Sequence, residues 1–266
     1  MTSSSYDNIP DFGLLYDSVP LYAARRDIGF YMEEAKAAGG PVLELGCGTG
    51  RILLPIARAG CTIAGVDSSS QMLARCKEKL AAEAAIVQAR VTLHQRDIRD
   101  FALDAKYALI IAPFRVVQQL ARIDDQLRFL AAVARHLAPT GRFIFDVFNP
   151  RFDALTSADG VEREDTPELR LPDGRTLRRG ARVTRVRWVD QVSETELIYY
   201  VGGKRYIQAF EMRWYLAAEL QHLLARAGFR VREMYGDFAR GRLADGSPEI
   251  IVIAERPDLT VGLPSR

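Results

Sequence analysis

Short apolar runs alternate along this chain with segments whose apolar positions recur every three to four residues, the pattern of interior strands joined by amphipathic helices. Five runs come in order: VLEL at the start of VLELGCGTG (42–50), CTIAGVD (61–67), VTLHQ within VTLHQRDIRDF (91–101), YALIIAPF (107–114) and GRFIFDVFNP (141–150). Ahead of them, FGLLYDSVPLYAARRDIGFYMEEAKAAGG reads as one or two helices ending at a Gly-Gly stop, with Leu14, Leu15, Tyr16, Tyr22, Phe30 and Tyr31 supplying an apolar face. RILLPIARAG predicts a helix from near Arg51, and QMLARCKEKLAAEAAIVQA a second one, with Ser68 to Ser70 offering N-cap hydroxyls. Late in the chain, LAAELQHLLARAGF is an amphipathic helix stopped at Gly228, followed by strands in FRVREMYGDF and PEIIVIAERP. Between these parts, Arg151 to about Gly180 is polar and reads as a long irregular connection. The alternation in RVTRVRWVDQVSETELIYYVGGKRYIQAFEMRWY then predicts three antiparallel strands, the last two joined by a tight reversal at Gly202-Gly203.

The turn after the first strand is the strongest chemical signal. Gly46, Gly48 and Gly50 remove side chains where the backbone must approach a ligand or adopt positive φ. A dinucleotide fingerprint would need glycine at position 51, which is Arg51, so the motif is GxGxG preceded by the acid Glu44. An acid about 20 residues beyond such a loop suits a ribose diol. Asp67 stands there, at the end of the second apolar run.

This arrangement resembles the first motifs of the class I S-adenosylmethionine-dependent methyltransferases, and the resemblance runs from about Tyr16 to Pro150 and resumes in the late helix and strands. It implies an α/β fold: a doubly wound, Rossmann-like seven-stranded sheet with the last strand antiparallel, and an antiparallel β cap inserted after the fifth strand. The expected division is an N-terminal helical lid (1–40), a cofactor-binding core (41–150), a loop and β cap (151–213), the rest of the core (214–256) and a mobile tail (257–266). The implied cofactor is S-adenosylmethionine, leaving as S-adenosylhomocysteine. Glu44, Gly46, Cys47, Gly48 and Arg51 would line its loop, Asp67 and Ser68 its ribose, and Met72, Asp97 and Ile98 its adenine. Ala112 would point toward its sulfur, and Tyr16 and Arg26 toward its methionine part. Substrate contacts are expected from Tyr22, Phe114, Arg115, Asn149, Tyr199, Tyr206 and Tyr215, with Arg115 suited to an anionic group. Asp146, at the carboxyl end of the fifth strand, is the catalytic candidate; it could accept a proton, orient an amine or cap the following loop.

Composition narrows the partners. With 266 residues, 48% of them hydrophobic, the chain can bury a large core, and a net charge of +2 gives no overall field for nucleic acid or anionic lipid. No apolar stretch approaches the roughly 18 residues of a membrane span. The polar, acidic start MTSSSYDNIPDF lacks the features of a secretion signal, so the expectation is cytoplasmic. Cys47, Cys61 and Cys76 form neither a metal-like cluster nor an even disulfide set, which predicts reduced thiols and no metal. His94, His136 and His222 are read as structural. Six arginines between Arg175 and Arg187 invite a nucleic-acid reading, but Glu194 and Glu196 would lie across a hairpin from Arg185 and Arg187, which predicts a salt-bridged face. The expectation is therefore methyl transfer to a nitrogen, or an oxygen, of a small molecule, in a monomer or homodimer. An RNA or protein methyltransferase and a non-catalytic cofactor-binding regulator stay open as alternatives.

Overall fold

Val42–Leu45 (β1) is buried along its whole length because strands on both sides cover it. Its neighbours are Ile63–Asp67 (β2), in register Val42 to Ile63, and Tyr107–Ala112 (β4), in register Val42 to Leu109. The computed structural model describes residues 5–156 and 158–257, and the expected tail lies, beyond 257, outside them. Val91–Gln95 (β3) pairs with β2, and Leu137–Phe148 (β5) with β4, all parallel. The sheet is completed by Arg230–Tyr235 (β10) and Glu249–Glu255 (β11) in the order β10-β11-β5-β4-β1-β2-β3. Only β11 runs against its neighbours. This is the doubly wound, Rossmann-like seven-stranded arrangement with its last strand reversed. The strand order turns back between β1 and β4, so the carboxyl ends of those strands open the crevice where ligands bind in such sheets.

Helices cover both faces. Phe12–Ser18 (α1), Pro20–Ala23 (α2) and Asp27–Ala38 (α3) precede the sheet, and Leu53–Arg58 (α4), Ser70–Ala81 (α5), Ala85–Gln88 (α6) and Ile123–His136 (α7) follow its strands. Phe152–Thr156 (α8) leads into the cap, and Ala217–Arg226 (α9) leads out of it. Phe129, Leu130 and Val133 of α7 join Leu220 and Leu224 of α9 over one face. Phe30 and Tyr31 of α3, Leu53 and Ile56 of α4 and Leu73 of α5 cover the other. Where the sequence predicts one helix over 71–89, the chain breaks between α5 and α6. The Gln88 side-chain Nε2 donates to the carbonyls of Ala81 and Glu83 that the break frees, 3.3 and 2.8 Å away.

After β5 the chain builds a second sheet of Arg163–Arg170 (β6), Thr176–Arg187 (β7), Val192–Val201 (β8) and Lys204–Arg213 (β9), antiparallel and in sequence order. Three strands are predicted and four occur. β6 falls in the stretch read as irregular because it is an edge strand holding Pro167, with Thr166 as its one buried residue, so it carries no hydrophobic alternation. The β8–β9 reversal sits at Gly202-Gly203, with φ of 53° and 78°, the values of a type I′ hairpin. Ile9, Phe12, Leu15 and Val19 of the N-terminal segment pack with Met72 of α5 and with Leu177, Tyr199 and Val201 of the cap. This third apolar cluster docks the cap on the N-terminal helices. At its other end the cap is tied to the loop after β4, where the Gln118 amide donates to the Arg213 carbonyl at 2.7 Å.

Candidate active site

The glycine turn is held from beneath and from the side. The amides of Gly46 and Cys47 both donate to the Val66 carbonyl of β2, at 2.8 and 3.1 Å, which folds the turn back over the sheet. Gly46 has φ 71°, and a Cβ there would lie 2.5 Å from Val116 Cγ2; at Gly50, φ 81°, it would lie 2.8 Å from Cys76 Sγ. The Gly48 amide donates to Asp67 Oδ2 at 2.8 Å, and the Ser69 amide to Asp67 Oδ1 at 2.9 Å. Asp67 therefore joins the turn to the start of α5, whose N-cap is the Ser69 hydroxyl, accepting from the Met72 amide. Glu44 lies beneath the turn, 3% exposed, with Oε2 lacking a hydrogen-bond partner. Burial pushes its pKa well above the ordinary carboxylate value, against the charge of Arg51.

A cavity of about 710 Å³ opens above the turn. Glu44, Gly46, Cys47, Gly48, Arg51, Asp67, Ser68, Met72, Asp97, Ile98 and Tyr16 all line it, as do Tyr22, Phe114 and Arg115. Two adjacent residues there, Phe114 at φ 58° and Arg115 at φ 66°, take the left-handed conformation that costs a side-chain-bearing residue about 1–2 kcal/mol. The Phe114 ring is fixed between guanidiniums, with the Arg25 Cζ 4.6 Å and the Arg51 Cζ 5.3 Å from its centroid, and Tyr22 meets it edge-on at 5.2 Å. Asp97 is gripped by Arg99, whose Nε donates to both carboxylate oxygens at 2.9 Å, and this hydrogen bonding holds it below the ordinary carboxylate value.

Seven expected site residues lie outside the cavity. Asp146 is fully buried: it accepts from the Tyr31 hydroxyl at 2.7 Å, Arg25 Nη2 at 3.0 Å and the Phe114 amide at 2.8 Å. It positions the Phe114 turn and has no face toward the cavity, which corrects its catalytic reading. Arg26 precedes α3 with its side chain exposed, and the neighbouring Arg25 turns inward instead; that link has no periodicity to choose between them. Ala112 is buried within β4, one residue short of the cavity wall at Pro113. Asn149 donates to the carbonyls of Asp245 and Ser247, at 3.1 and 3.0 Å, and fastens the entry to β11. Tyr215 belongs to the main core, while Tyr199 and Tyr206 pack in the cluster that docks the cap. The cap residues that do reach the cavity are Asp165, Arg179, Thr195, Leu197, Gln208, Phe210 and Met212. The strand period of two shows Gln208, Phe210 and Met212 to share a face with Tyr206, a signal that weighing the aromatics alone passes over. Arg25 and Arg179 have no such local sign.

Asp27 anchors the guanidiniums beside Phe114. It accepts from Arg51 Nη1 and Nη2 at 2.6 and 2.7 Å and from Arg25 Nε at 3.1 Å. Burial pushes its pKa up, but the hydrogen bonds and charges of Arg51 and Arg25 outweigh burial and hold it below the ordinary value. With the folded value below an unfolded one of about 3.9, Asp27 stabilises the fold fully above that pH, and the contribution is lost as the pH falls through the depressed value. Asp27→Asn should therefore lower the melting temperature at neutral pH, with the gap to wild type closing below about pH 4. A gap that stays constant into acid would refute this account.

His136 is structural: Nδ1 donates to the Ala132 carbonyl at 2.7 Å, Nε2 accepts from the Leu103 amide at 2.9 Å, and the ring stacks on Phe101. Among the described residues, no group of three His, Cys, Asp or Glu side chains is arranged to hold a metal, and no helix is long and apolar enough to cross a membrane.

The bare turn, the acid ending β2, the unpartnered buried carboxylate oxygen of Glu44 and the sheet order fit S-adenosylmethionine as the cofactor. Residues 42–141 match the methyltransferase domain family, and together with the relatives and the solved structure that follow, this match supports a class I S-adenosylmethionine-dependent methyltransferase. It is similar to the cypemycin N-terminal methyltransferase of a Streptomyces species, 27% identical over 82% of this chain and 84% of that one. It is also similar to the dTDP-3-amino-3,4,6-trideoxy-alpha-D-glucopyranose N,N-dimethyltransferase of Streptomyces venezuelae, 27% identical over 81% of this chain and 86% of the relative. The solved structure of the CcbJ methyltransferase from Streptomyces caelestis superposes with a TM-score of 0.74, at 25% identity, over 96% of this chain and 98% of the other.

Proposed function

We propose that the protein methylates a nitrogen of a small molecule held between the glycine turn and the cap. The observation that carries this reading is the cavity, which runs from Gly46, Gly48 and Asp67 to Leu197, Phe210 and Met212 on the inner face of the cap. Its volume, about 710 Å³, falls within the roughly 300–1,000 Å³ typical of small-ligand sites. In this reading Asp67 takes the ribose hydroxyls, Met72 and Ile98 flank the adenine beside Asp97, and Glu44, Tyr16 and Arg51 face the methionine part. When bound, the cofactor supplies a sulfonium methyl, which needs an aligned lone pair more than a catalyst. The chain's part is alignment and the exclusion of water, which can supply several kcal/mol.

Nitrogen is preferred to oxygen because an alcohol would need a base. Among the carboxylates at the cavity, Asp67 is engaged by two backbone amides, Asp97 and Asp125 by Arg99 and Asp165 by Arg179, while Glu44, whose Oε2 is unpartnered, lies beneath the turn on the side proposed for the methionine part of the cofactor. The Streptomyces venezuelae relative named above is an N,N-dimethyltransferase by name, which supports the same choice. The arginine-rich strand gives little support to RNA as the acceptor, since Arg182 pairs with Glu196 and Arg187 with Glu194 and Glu211.

The test is incubation of the purified protein with methyl-labelled S-adenosylmethionine and matched libraries of small amines and alcohols. Label should pass to an amine, with one S-adenosylhomocysteine formed for each methyl transferred. Label found only in alcohols, RNA or protein would overturn the reading.

A further inference from the structure

Arg179 is among the largest fully buried side chains of the described residues, at 2% exposure, and it sits in the cap rather than in the core. Taking a guanidinium out of water costs several kcal/mol unless its hydrogen bonds are made. Asp165 meets most of that need, accepting from Nε at 2.9 Å and from Nη2 at 3.0 Å. The ion pair is thereby neutral within the cap. The remaining nitrogen, Nη1, reaches out of the cap to the Tyr22 hydroxyl of the N-terminal segment, and also to Tyr199 at 3.4 Å. Arg179, Asp165 and Tyr22 all line the cavity.

This arrangement fixes what the Tyr22 hydroxyl offers. Its oxygen already accepts from a charged donor, and a hydroxyl that accepts a charge-assisted hydrogen bond becomes a stronger donor and a weaker acceptor. The ring cannot swing away, because Tyr16 packs on it at 4.4 Å and Phe114 meets it at 5.2 Å. Nearby, the cap wall is apolar or uncharged: Leu197, Phe210, Met212 and Thr195.

We propose that Tyr22, polarised and positioned by the Arg179–Asp165 pair, donates its hydroxyl hydrogen to an oxygen lone pair of the methyl acceptor, so that the enzyme selects acceptors carrying an uncharged ether, hydroxyl or carbonyl oxygen. Tyr22 is then a specificity-determining contact, and Arg179 and Asp165 are positioning residues. The inference rests on the small-molecule methyltransferase reading.

A pair of amines of equal shape tests it: 4-aminotetrahydropyran, whose ring oxygen only accepts, and cyclohexylamine, which has a methylene there. Each is titrated calorimetrically into protein saturated with S-adenosylhomocysteine. Wild type should bind the ether about tenfold more tightly or better, as expected for a hydrogen bond made in a desolvated site. Tyr22→Phe should bind the two equally, while its affinity for S-adenosylhomocysteine stays within about twofold, the hydroxyl being the single group removed. Arg179→Met should reduce the preference without erasing it, because the hydroxyl remains but is neither polarised nor held. Equal binding by wild type, a preference that survives in Tyr22→Phe, or no binding of either amine each overturns the proposal. Failure of wild type to bind S-adenosylhomocysteine overturns instead the reading beneath it.

Discussion

Replacing Asp67 with alanine should weaken binding of S-adenosylmethionine by roughly 10- to 150-fold, the equivalent of about 1.5–3 kcal/mol for hydrogen bonds to a charged acceptor. The loss has two sources. The carboxylate proposed for the ribose hydroxyls disappears, and so does the acceptor that ties the Gly48 amide, 2.8 Å away, to the Ser69 amide, 2.9 Å away. The turn would lose its lateral hold while keeping its hold on Val66. Calorimetry on the folded variant measures the effect, and Asp67→Asn, which keeps one accepting oxygen, should fall between the two. Unchanged affinity in the alanine variant would remove the ribose role and, with it, the main chemical link between β2 and the cofactor.

The largest effect on stability is expected at Asp146. Substitution by alanine strips three donors of their shared acceptor: Tyr31, Arg25 and the Phe114 amide. Removing one partner of a buried ion pair costs about 3–5 kcal/mol, against a total stability of about 5–15 kcal/mol for a folded protein. Tyr31→Phe, which removes a single hydrogen bond, should cost about 0.5–1.5 kcal/mol. Denaturant unfolding of both variants separates these figures, and a loss below about 1 kcal/mol in Asp146→Ala would contradict the network described. Burial raises the Asp146 pKa against the opposing pull of Arg25, Tyr31 and the Phe114 amide. Its carboxylate is nevertheless fully buried and does not line the cavity, so Asp146→Asn should leave the pH profile of turnover unchanged in protein that folds. A profile that lost its acid limb would restore the catalytic role.

The core of the fold was legible because its central strands β1, β4 and β11 are buried along nearly their whole length and the turn after β1 is built on glycines. Gly46 and Gly48 follow from a local backbone requirement, whereas Asp67 is read from its distance beyond the loop and Asp97 from the resemblance. The inward arginines were not legible. Arg25 and Arg26 are adjacent on an aperiodic link, and only the tertiary positions of Asp27, Asp146 and Glu249 decide which of them turns in. Arg179 lies among six arginines of similar appearance, and its burial depends on Asp165, which is contributed by a strand without hydrophobic alternation. Aromatic weight misled at Tyr199 and Tyr215, which are large enough to be core and are used as core.

Because Phe12, Leu15 and Val19 share one apolar cluster with Leu177, Tyr199 and Val201 of the cap and with Met72 beside the glycine turn, the roof is not an interchangeable part. A chimera that took its four-stranded sheet from another enzyme would expose or overfill that seam. Re-engineering the acceptor range by transplantation thus calls for moving the segment from Ile9 to Val19 together with the sheet it clasps.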